Sequence, residues 1–520
     1  MKQLSALDAL FLHLETPETP MHVGSLMLLD VPARSRKSVF ANVRKHIASR
    51  LHLAPLFTRR LQFMPFDLAN PVWVEADDID LDHHIRHVTL PKPGTRAQLE
   101  AKVAKLHEGL LDRARPLWQF VVIDGLESGQ IAFYGKLHHA GMDGQGGVAL
   151  AQAVLDAEPT PRRVKPESAG PKAELDTGTA RLVGAALSNT VAQYARIVRA
   201  VPEAVKAASA VAATMAMSRS LSADMGLKAG AKPGIDPKKL AAGARKQGLP
   251  LGPRTPLNAA ISAKRIFASV SIPLDEAKVI ARQLDVKLND VVLATVSGAL
   301  RRAYAKERAL LANNMIGAVP ASLRAPGDAT QNNQVTMMLV DLASGEPDVL
   351  KRIASIHRSS SKAKMLTGGM KSVIPTDLPS LGLPWLMGAL SALYNTSLVA
   401  NRIPVIANLV ISNVPGPPMP LYLAGYRIAA YVPVSIVTHG LGLNITILSY
   451  NGMLGYGLVA DPACTGPLSK WTTHIKAAHA ELLALCEALA KQPARTAAAR
   501  GKAKSKAPRN LSRKTSNKTP

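Results

Sequence analysis

The chain has 520 residues, 47% of them hydrophobic, too many for one ordinary core; two packed domains plus extra segments are expected. Aromatic residues make up only 4%, which argues against a surface that stacks on nucleic-acid bases. The net charge is +26, but ten of those charges lie after Ala490 in a tail without any acid, leaving +16 for the body.

That tail, from Lys491 to Lys518, reads as a solvated, disordered segment with anionic lipid as its second reading. No reader module for nucleic acid accompanies it. Cys464 and Cys486 are the only cysteines, so neither a disulfide framework nor a thiolate metal site is expected, in keeping with a reducing cytoplasm. Asp8, Glu15 and Glu18 interrupt any secretory apolar run near the start. Leu378–Asn401 carries no charge, but Pro379, Gly382, Pro384, Gly388 and Asn395 dilute it. A buried or membrane-facing helix pair fits that stretch better than a membrane span.

In chain order, Val23–Asp30 reads as a strand and Ser38–Leu51 as an amphipathic helix capped by Ser38. Thr95–Leu111 repeats apolar residues at helical spacing. Trp118–Ile123 and Ile131–Leu137 read as neighbouring strands joined through Gly125–Gly129, and Gln145–Ala157 as the helix after them. Residues 1–160 thus form an N-terminal α/β domain. Residues 161–256 form a linker holding two Ala-rich helices, 180–200 and 202–217. A second α/β domain is expected over 257–490. It has a strand at Arg265–Ile272 and helices at Asp275–Leu284 and Asn289–Ala305, the latter capped by Asn289. Six further strands lie between Met315 and Val459, and a last helix spans Pro467–Leu489.

The most informative stretch is Leu137-His138-His139-Ala140-Gly141-Met142-Asp143-Gly144, an HHxxxDG pattern at a strand end. An imidazole accepts a proton near neutral pH, and a glycine permits the tight bend into the next helix. His139 would take the proton of a hydroxyl nucleophile that attacks a thioester, with Asp143 bracing the loop through an arginine. Neither a nucleophilic cysteine motif nor a GxSxG serine elbow is evident, so no covalent acyl-enzyme is invoked. Other readings stand beside this one. Both rings could serve packing alone, with Asp143 capping the following helix. A metal site is disfavoured because adjacent strand residues point to opposite faces. Residues 144–149 match GxGxxA, but no acid-ending second strand follows, which speaks against a dinucleotide turn.

The chain resembles the bacterial wax ester synthase/acyl-CoA:diacylglycerol acyltransferase family, within the wider HxxxDG group that includes chloramphenicol acetyltransferase. The resemblance is carried by Leu4–Asp8, Thr19–Gly24, Asp80–His87, Pro116-Leu117-Trp118 and the HHxxxDG stretch. It continues through Leu288–Val292, Pro320–Arg324, Ser412–Pro417 and Gly442–Ile445. It implies two chloramphenicol-acetyltransferase-like domains of mixed α/β sheets, with the active-site tunnel between them.

His139 is then the proton acceptor and His138 its motif neighbour, Asp143 and Gly144 shape the loop, and Pro116, Trp118, Asn289 and Asp290 line or support the site. No tightly bound cofactor and no metal are implied. Long-chain acyl-CoA is the co-substrate and a fatty alcohol or diacylglycerol the acceptor. The implied setting is cytoplasmic, at an anionic inner-membrane face or lipid inclusion. A lipid-surface-binding protein with a secondary acyltransferase centre is the alternative. His83-His84 is a second doublet without a following Asp-Gly and reads as surface or packing.

Overall fold

The computed structural model describes residues 2–67, 69–76, 78–141, 150–165, 251–322, 335–370 and 404–491. The N-terminal half runs β1 (Lys2–Gln3), α1 (Ala6–Leu14), β2 (His22–Asp30), α2 (Val39–Ala48), β3 (Arg59–Gln62), β4 (Val72–Glu75), β5 (Ile85–Thr89), α3 (Arg96–Glu108), β6 (Trp118–Asp124) and β7 (Ile131–His138). The C-terminal half follows with β8 (Ile266–Pro273), α4 (Leu274–Gln283), α5 (Leu288–Ala303), β9 (Ile316–Ser322), β10 (Val335–Asp341) and α6 (Val349–Met370). It ends with β11 (Leu409–Val414), β12 (Tyr422–Leu423), β13 (Tyr426–Val434), β14 (Leu443–Tyr450), β15 (Met453–Ala460) and α7 (Leu468–Lys491).

Among the described residues there are two six-stranded sheets, ordered β12-β13-β2-β7-β6-β5 and β10-β9-β11-β14-β15-β8, and a small β1-β4-β3 sheet. This is the expected mixed α/β class. The halves are interlocked, because β13 crosses over and pairs antiparallel with β2, Val434 opposite Gly24. β7 lies inside the first sheet between β2 and β6, and its eight residues are all buried. Alternation explains how both faces are covered. Phe133 and Leu137 join a core beneath α2, whereas Ala132 and Tyr134 join a core continuous with β14, β15 and α7.

Local chemistry sets several boundaries. Thr95 accepts from the Gln98 amide at 3.2 Å while the Gln98 side chain accepts from the Thr95 amide at 2.7 Å, a reciprocal cap that starts α3. Two expected caps are corrected. Ser38 already has helical backbone angles, after a 3-10 turn, and its hydroxyl donates to the Ser35 carbonyl. Asn289 sits inside α5, and the Lys287 amide is instead satisfied by Asp290 Oδ2 at 3.0 Å. Residues 150–154 are helical, so the helix read to Ala157 ends earlier, where Asp156 bridges to Tyr422.

α1 and α6 were not read from the sequence. Expectations for 144–149, the Ala-rich helices over 180–217, the uncharged stretch Leu378–Asn401 and most of the basic tail fall outside the described residues. Among the described residues, no helix is long and apolar enough to cross a membrane.

Candidate active site

The histidine doublet is held by its backbone on both sides. The His138 amide donates to the Leu117 carbonyl at 3.0 Å and the His139 amide to the Met21 carbonyl at 2.9 Å. Leu117 is in turn fixed by a bend in which the Trp118 amide donates to the Pro116 carbonyl at 2.9 Å. The Pro-Leu-Trp stretch thus supplies an acceptor to the strand end. His139–Gly141 then forms a 3-10 turn lying on α1.

His138 is fully buried, and both ring nitrogens are engaged. Nδ1 accepts the Ala140 amide at 3.1 Å, so Nε2 carries the hydrogen and donates to Glu15 Oε1 at 3.1 Å. The other carboxylate oxygen accepts two bonds from Arg113, at 3.0 and 2.8 Å, and the Met21 amide reaches Oε1 at 3.3 Å. Burial alone would push the Glu15 carboxyl up, but His138 and Arg113 outweigh it and hold it below its ordinary value. Glu15 is a site residue that the sequence did not reveal. It lies 123 positions before His138, just past the end of α1, in no recognisable motif.

His139 is held differently. Its ring stacks on Phe11 with centroids 3.9 Å apart and planes 16° from parallel. Nδ1 is buried and has no hydrogen-bond partner among the described residues. Burial, with a smaller push from His138, lowers its pKa to about 4, so the imidazole is neutral at physiological pH. With His138 committed to Glu15 and His139 to Phe11, the pair is not arranged to chelate one ion.

Next to the doublet, His22 pairs in register with His138 and places its Nε2 2.7 Å from the His107 carbonyl. His107 Nε2 donates to the Ser435 carbonyl at 3.1 Å, and its Nδ1 accepts from the Tyr134 hydroxyl at 2.8 Å. Asn444 holds that same loop through the Ile436 carbonyl at 2.8 Å. The C-terminal Gly-Leu-Asn-Ile stretch therefore reaches the site strand through one buried ring. Lys136, also buried, donates to the Leu106 and Gly109 carbonyls at the end of α3, at 3.0 and 2.7 Å.

A family model described as the wax ester synthase/diacylglycerol acyltransferase catalytic domain matches residues 4–292, and the corresponding C-terminal domain matches residues 331–482. The chain belongs to the wax ester synthase/diacylglycerol acyltransferase family. It is therefore an O-acyltransferase. It is 31% identical over 488 residues to the O-acyltransferase WSD of Acinetobacter baylyi, covering 92% of this chain and 96% of that one. It is 32% identical over 483 residues to a putative diacylglycerol O-acyltransferase of Mycobacterium tuberculosis, covering 92% and 99%. Among solved structures, the wax ester synthase/diacylglycerol acyltransferase of Marinobacter aquaeolei superposes with a TM-score of 0.63 at 25% identity, over 94% of this chain and all of that one. A starter condensation domain of rhizomide synthetase shares the fold, with a TM-score of 0.51 at 14% identity over 94% of each chain.

In this family member, Pro116 and Trp118 are both buried. Trp118 donates through Nε1 to the Phe57 carbonyl at 3.2 Å. The second doublet packs here: His84 stacks on Trp118 at 4.2 Å and its Nδ1 lies 2.8 Å from the Trp118 carbonyl. Asn289 and Asp290 serve α5 and its neighbours. Asn289 accepts from Asn413 at 3.3 Å, and Asp290 accepts from Ser360 and His357, each at 2.6 Å. Those bonds run to α6 and β11 rather than to the His138–His139 turn. Asp143 and Gly144 lie outside the described residues.

The described residues line a half-open, mainly apolar cavity of about 130 Å³ against the strand that carries the doublet. Its floor includes Val23 and Met27 of β2 and Phe133, Gly135 and Leu137 of β7, and its roof is the helical turn from Leu150.

Proposed function

We propose that this O-acyltransferase moves a long-chain acyl group from acyl-CoA to the hydroxyl of a fatty alcohol or a diacylglycerol, with His139 as general base. The observation that carries the assignment is a neutral imidazole on a turn whose backbone and neighbouring ring are fixed by Met21, Leu117 and Glu15. Because Nδ1 faces protein, Nε2 is the nitrogen that meets the substrate. It takes the hydroxyl proton as the oxygen attacks the thioester carbonyl, forming the new C–O bond. The tetrahedral intermediate collapses, the C–S bond breaks, and the imidazolium returns its proton to the departing CoA thiolate. The sum is ester plus free CoA, with no redox change and no cofactor entering the scheme.

The relatives' names support this donor and these acceptors: one solved structure is titled wax ester synthase/diacylglycerol acyltransferase, and the mycobacterial relative a diacylglycerol O-acyltransferase. They also disfavour the alternative of a lipid-binding protein with a secondary centre. A cytoplasmic position at an anionic membrane face or lipid inclusion is part of the proposal, supported by a net charge of +26 and by substrates that partition there. The test incubates purified protein with palmitoyl-CoA and hexadecanol, or with diolein, and follows thiol release. Release that requires the acceptor supports the reading. Absence of release with every alcohol offered overturns it.

A further inference from the structure

A buried cation of the C-terminal half reaches across to the loop that supports the doublet. Arg265 stands just before β8 and is 5% exposed. Its Nη1 donates to the Ser262 and Lys264 carbonyls at 2.6 and 2.8 Å, which fixes the guanidinium within its own half. Its Nη2 donates to the Glu18 carbonyl of the N-terminal half. The Arg265 amide donates to Glu108 Oε1, at the end of α3, at 3.1 Å. Asp461, directly after β15, anchors the turn before Arg265: its Oδ2 accepts from the Ser262 amide and hydroxyl, each at 2.6 Å. A planar, permanently charged fork suits such a bridge, because a buried charge is tolerated only where its N–H groups are satisfied.

The place it grips matters as much. Glu18 lies three residues after Glu15, whose carboxylate holds His138, and three before Met21, whose carbonyl accepts the His139 amide. The loop between them is stiffened by its own bonds. The Thr19 amide donates to the Thr16 carbonyl at 3.0 Å, and the Thr19 hydroxyl to the Leu14 carbonyl at 2.8 Å. Thr19 and Met21 are both buried. A shift at Glu18 is therefore passed to both supports of the doublet rather than absorbed. Arg113 grips the same loop from the N-terminal half, through Glu15 and the Leu12 carbonyl. Arg265 is the hold from the opposite half.

We infer that Arg265 is a positioning residue for acyl transfer: by fastening the Glu15–Met21 loop to the C-terminal half, it sets where His139 stands relative to that half. It acts through the loop and not on the reacting atoms. The inference rests on His139 being the general base, as proposed above.

Full-length wild type, Arg265→Met, Arg265→Lys, Glu15→Ala and the double variant Arg265→Met/Glu15→Ala are compared with palmitoyl-CoA and hexadecanol by thiol release. Arg265→Met keeps an apolar stem and loses every donor. Its kcat falls about tenfold to 10²-fold, the cost of a misplaced reacting group. Both KM values hold within about twofold, since no substrate contact is removed. Arg265→Lys, whose single ammonium does not span both halves as the fork does, loses a smaller factor. The double variant decides. If both residues act through one loop, it loses little more kcat than Glu15→Ala alone, whereas independent effects multiply. Unchanged kcat in Arg265→Met, a loss confined to KM, or multiplied losses in the double variant overturn the inference. Where a Met or Ala variant melts below the assay temperature by circular dichroism, Arg265→Lys and Glu15→Gln take their places under the same criteria. A wild type without thiol release, or His139→Ala with normal turnover, defeats the general-base reading itself.

Discussion

Removing the Glu15 carboxylate tests how the doublet is held. Glu15 is 2% exposed, His138 is sealed and Arg113 is 34% exposed. In Glu15→Ala, Arg113 can turn toward water, but His138 Nε2–H is left buried without an acceptor, which costs about 1–3 kcal/mol. The void left by the lost side chain adds to that, for a total near 2–4 kcal/mol. Glu15→Gln keeps an oxygen for His138 and loses only the charge, about 1–2 kcal/mol. The functional consequence follows from the tautomer. Without its acceptor, His138 is free to move its hydrogen to Nδ1, which expels the Ala140 amide and loosens the turn bearing His139. A displacement of an ångström at a reacting group costs about 10²-fold in rate. Urea midpoints and kcat/KM for thiol release, measured on both variants and on Arg113→Ala, check this. Glu15→Ala should lose the most in both, with Glu15→Gln partly rescued. Equal losses in Glu15→Gln and Glu15→Ala, or Arg113→Ala matching Glu15→Ala, would refute the tautomer argument.

His139→Ala should lower kcat by about 10²–10⁴-fold, the usual worth of a general base, and lower stability by about 1 kcal/mol through loss of the stack on Phe11 without preventing folding. Near-normal turnover would remove His139 from the scheme. In wild type, kcat/KM should stay flat from pH 8 down to about 5, because the ring titrates near 4 rather than 6.5; an acid limb at 6.5 would contradict the burial argument. Stability should respond to acid through other rings. Burial depresses His84 to about 4 and His107 to about 3, so the unfolded chain binds more protons once pH falls below 6.5. Their contribution is complete above that value and lost as pH falls toward the folded values, up to about 2 kcal/mol each by pH 5. A thermal midpoint unchanged between pH 7 and 5 would be inconsistent with that. Asp290→Ala should destabilise by about 2 kcal/mol or more by stranding Ser360 and His357, with the melting midpoint as readout. An unchanged midpoint would show that α6 is held elsewhere.

Elements with clean periodicity were legible in the sequence. The short apolar runs Trp118–Ile123 and Ile131–Leu137 placed β6 and β7 within a residue, and the apolar spacing in Thr95–Leu111 found α3. The doublet at a strand end was legible for the same reason. α1 escaped because its Ala6–Leu14 stretch is apolar nearly throughout and gives no strong stripe. The crossover of β13 into the N-terminal sheet has no local signature, since pairing partners hundreds of residues apart are chosen by the core they complete. Glu15, Phe11 and His107 were missed on similar grounds. Each acts on the doublet through space, and nothing in its own neighbourhood marks it. Conversely, Asn289-Asp290 was visible as a motif, but its bonds run to α6 and β11, a division that spacing alone does not disclose.

The depressed pKa of His139 bears on both proton transfers of the proposed scheme, in opposite senses. Relative to an ordinary imidazole near 6.5, a ring titrating near 4 is a weaker base by roughly 3 kcal/mol, which makes abstraction from an alcohol harder. The same shift makes the imidazolium a stronger acid, readier to protonate a thiolate whose conjugate acid titrates near 8.5. Burial also keeps the His139 ring neutral at pH 7, where an unshifted imidazole is partly protonated. The balance is acceptable only if something restores basicity once the alcohol is bound. The oxyanion developing on the thioester carbonyl oxygen supplies a negative charge near the ring, and in a poorly hydrated site that attraction is large. The base is therefore weak in the free enzyme and strengthened as the intermediate forms, which favours the transition state over the ground state.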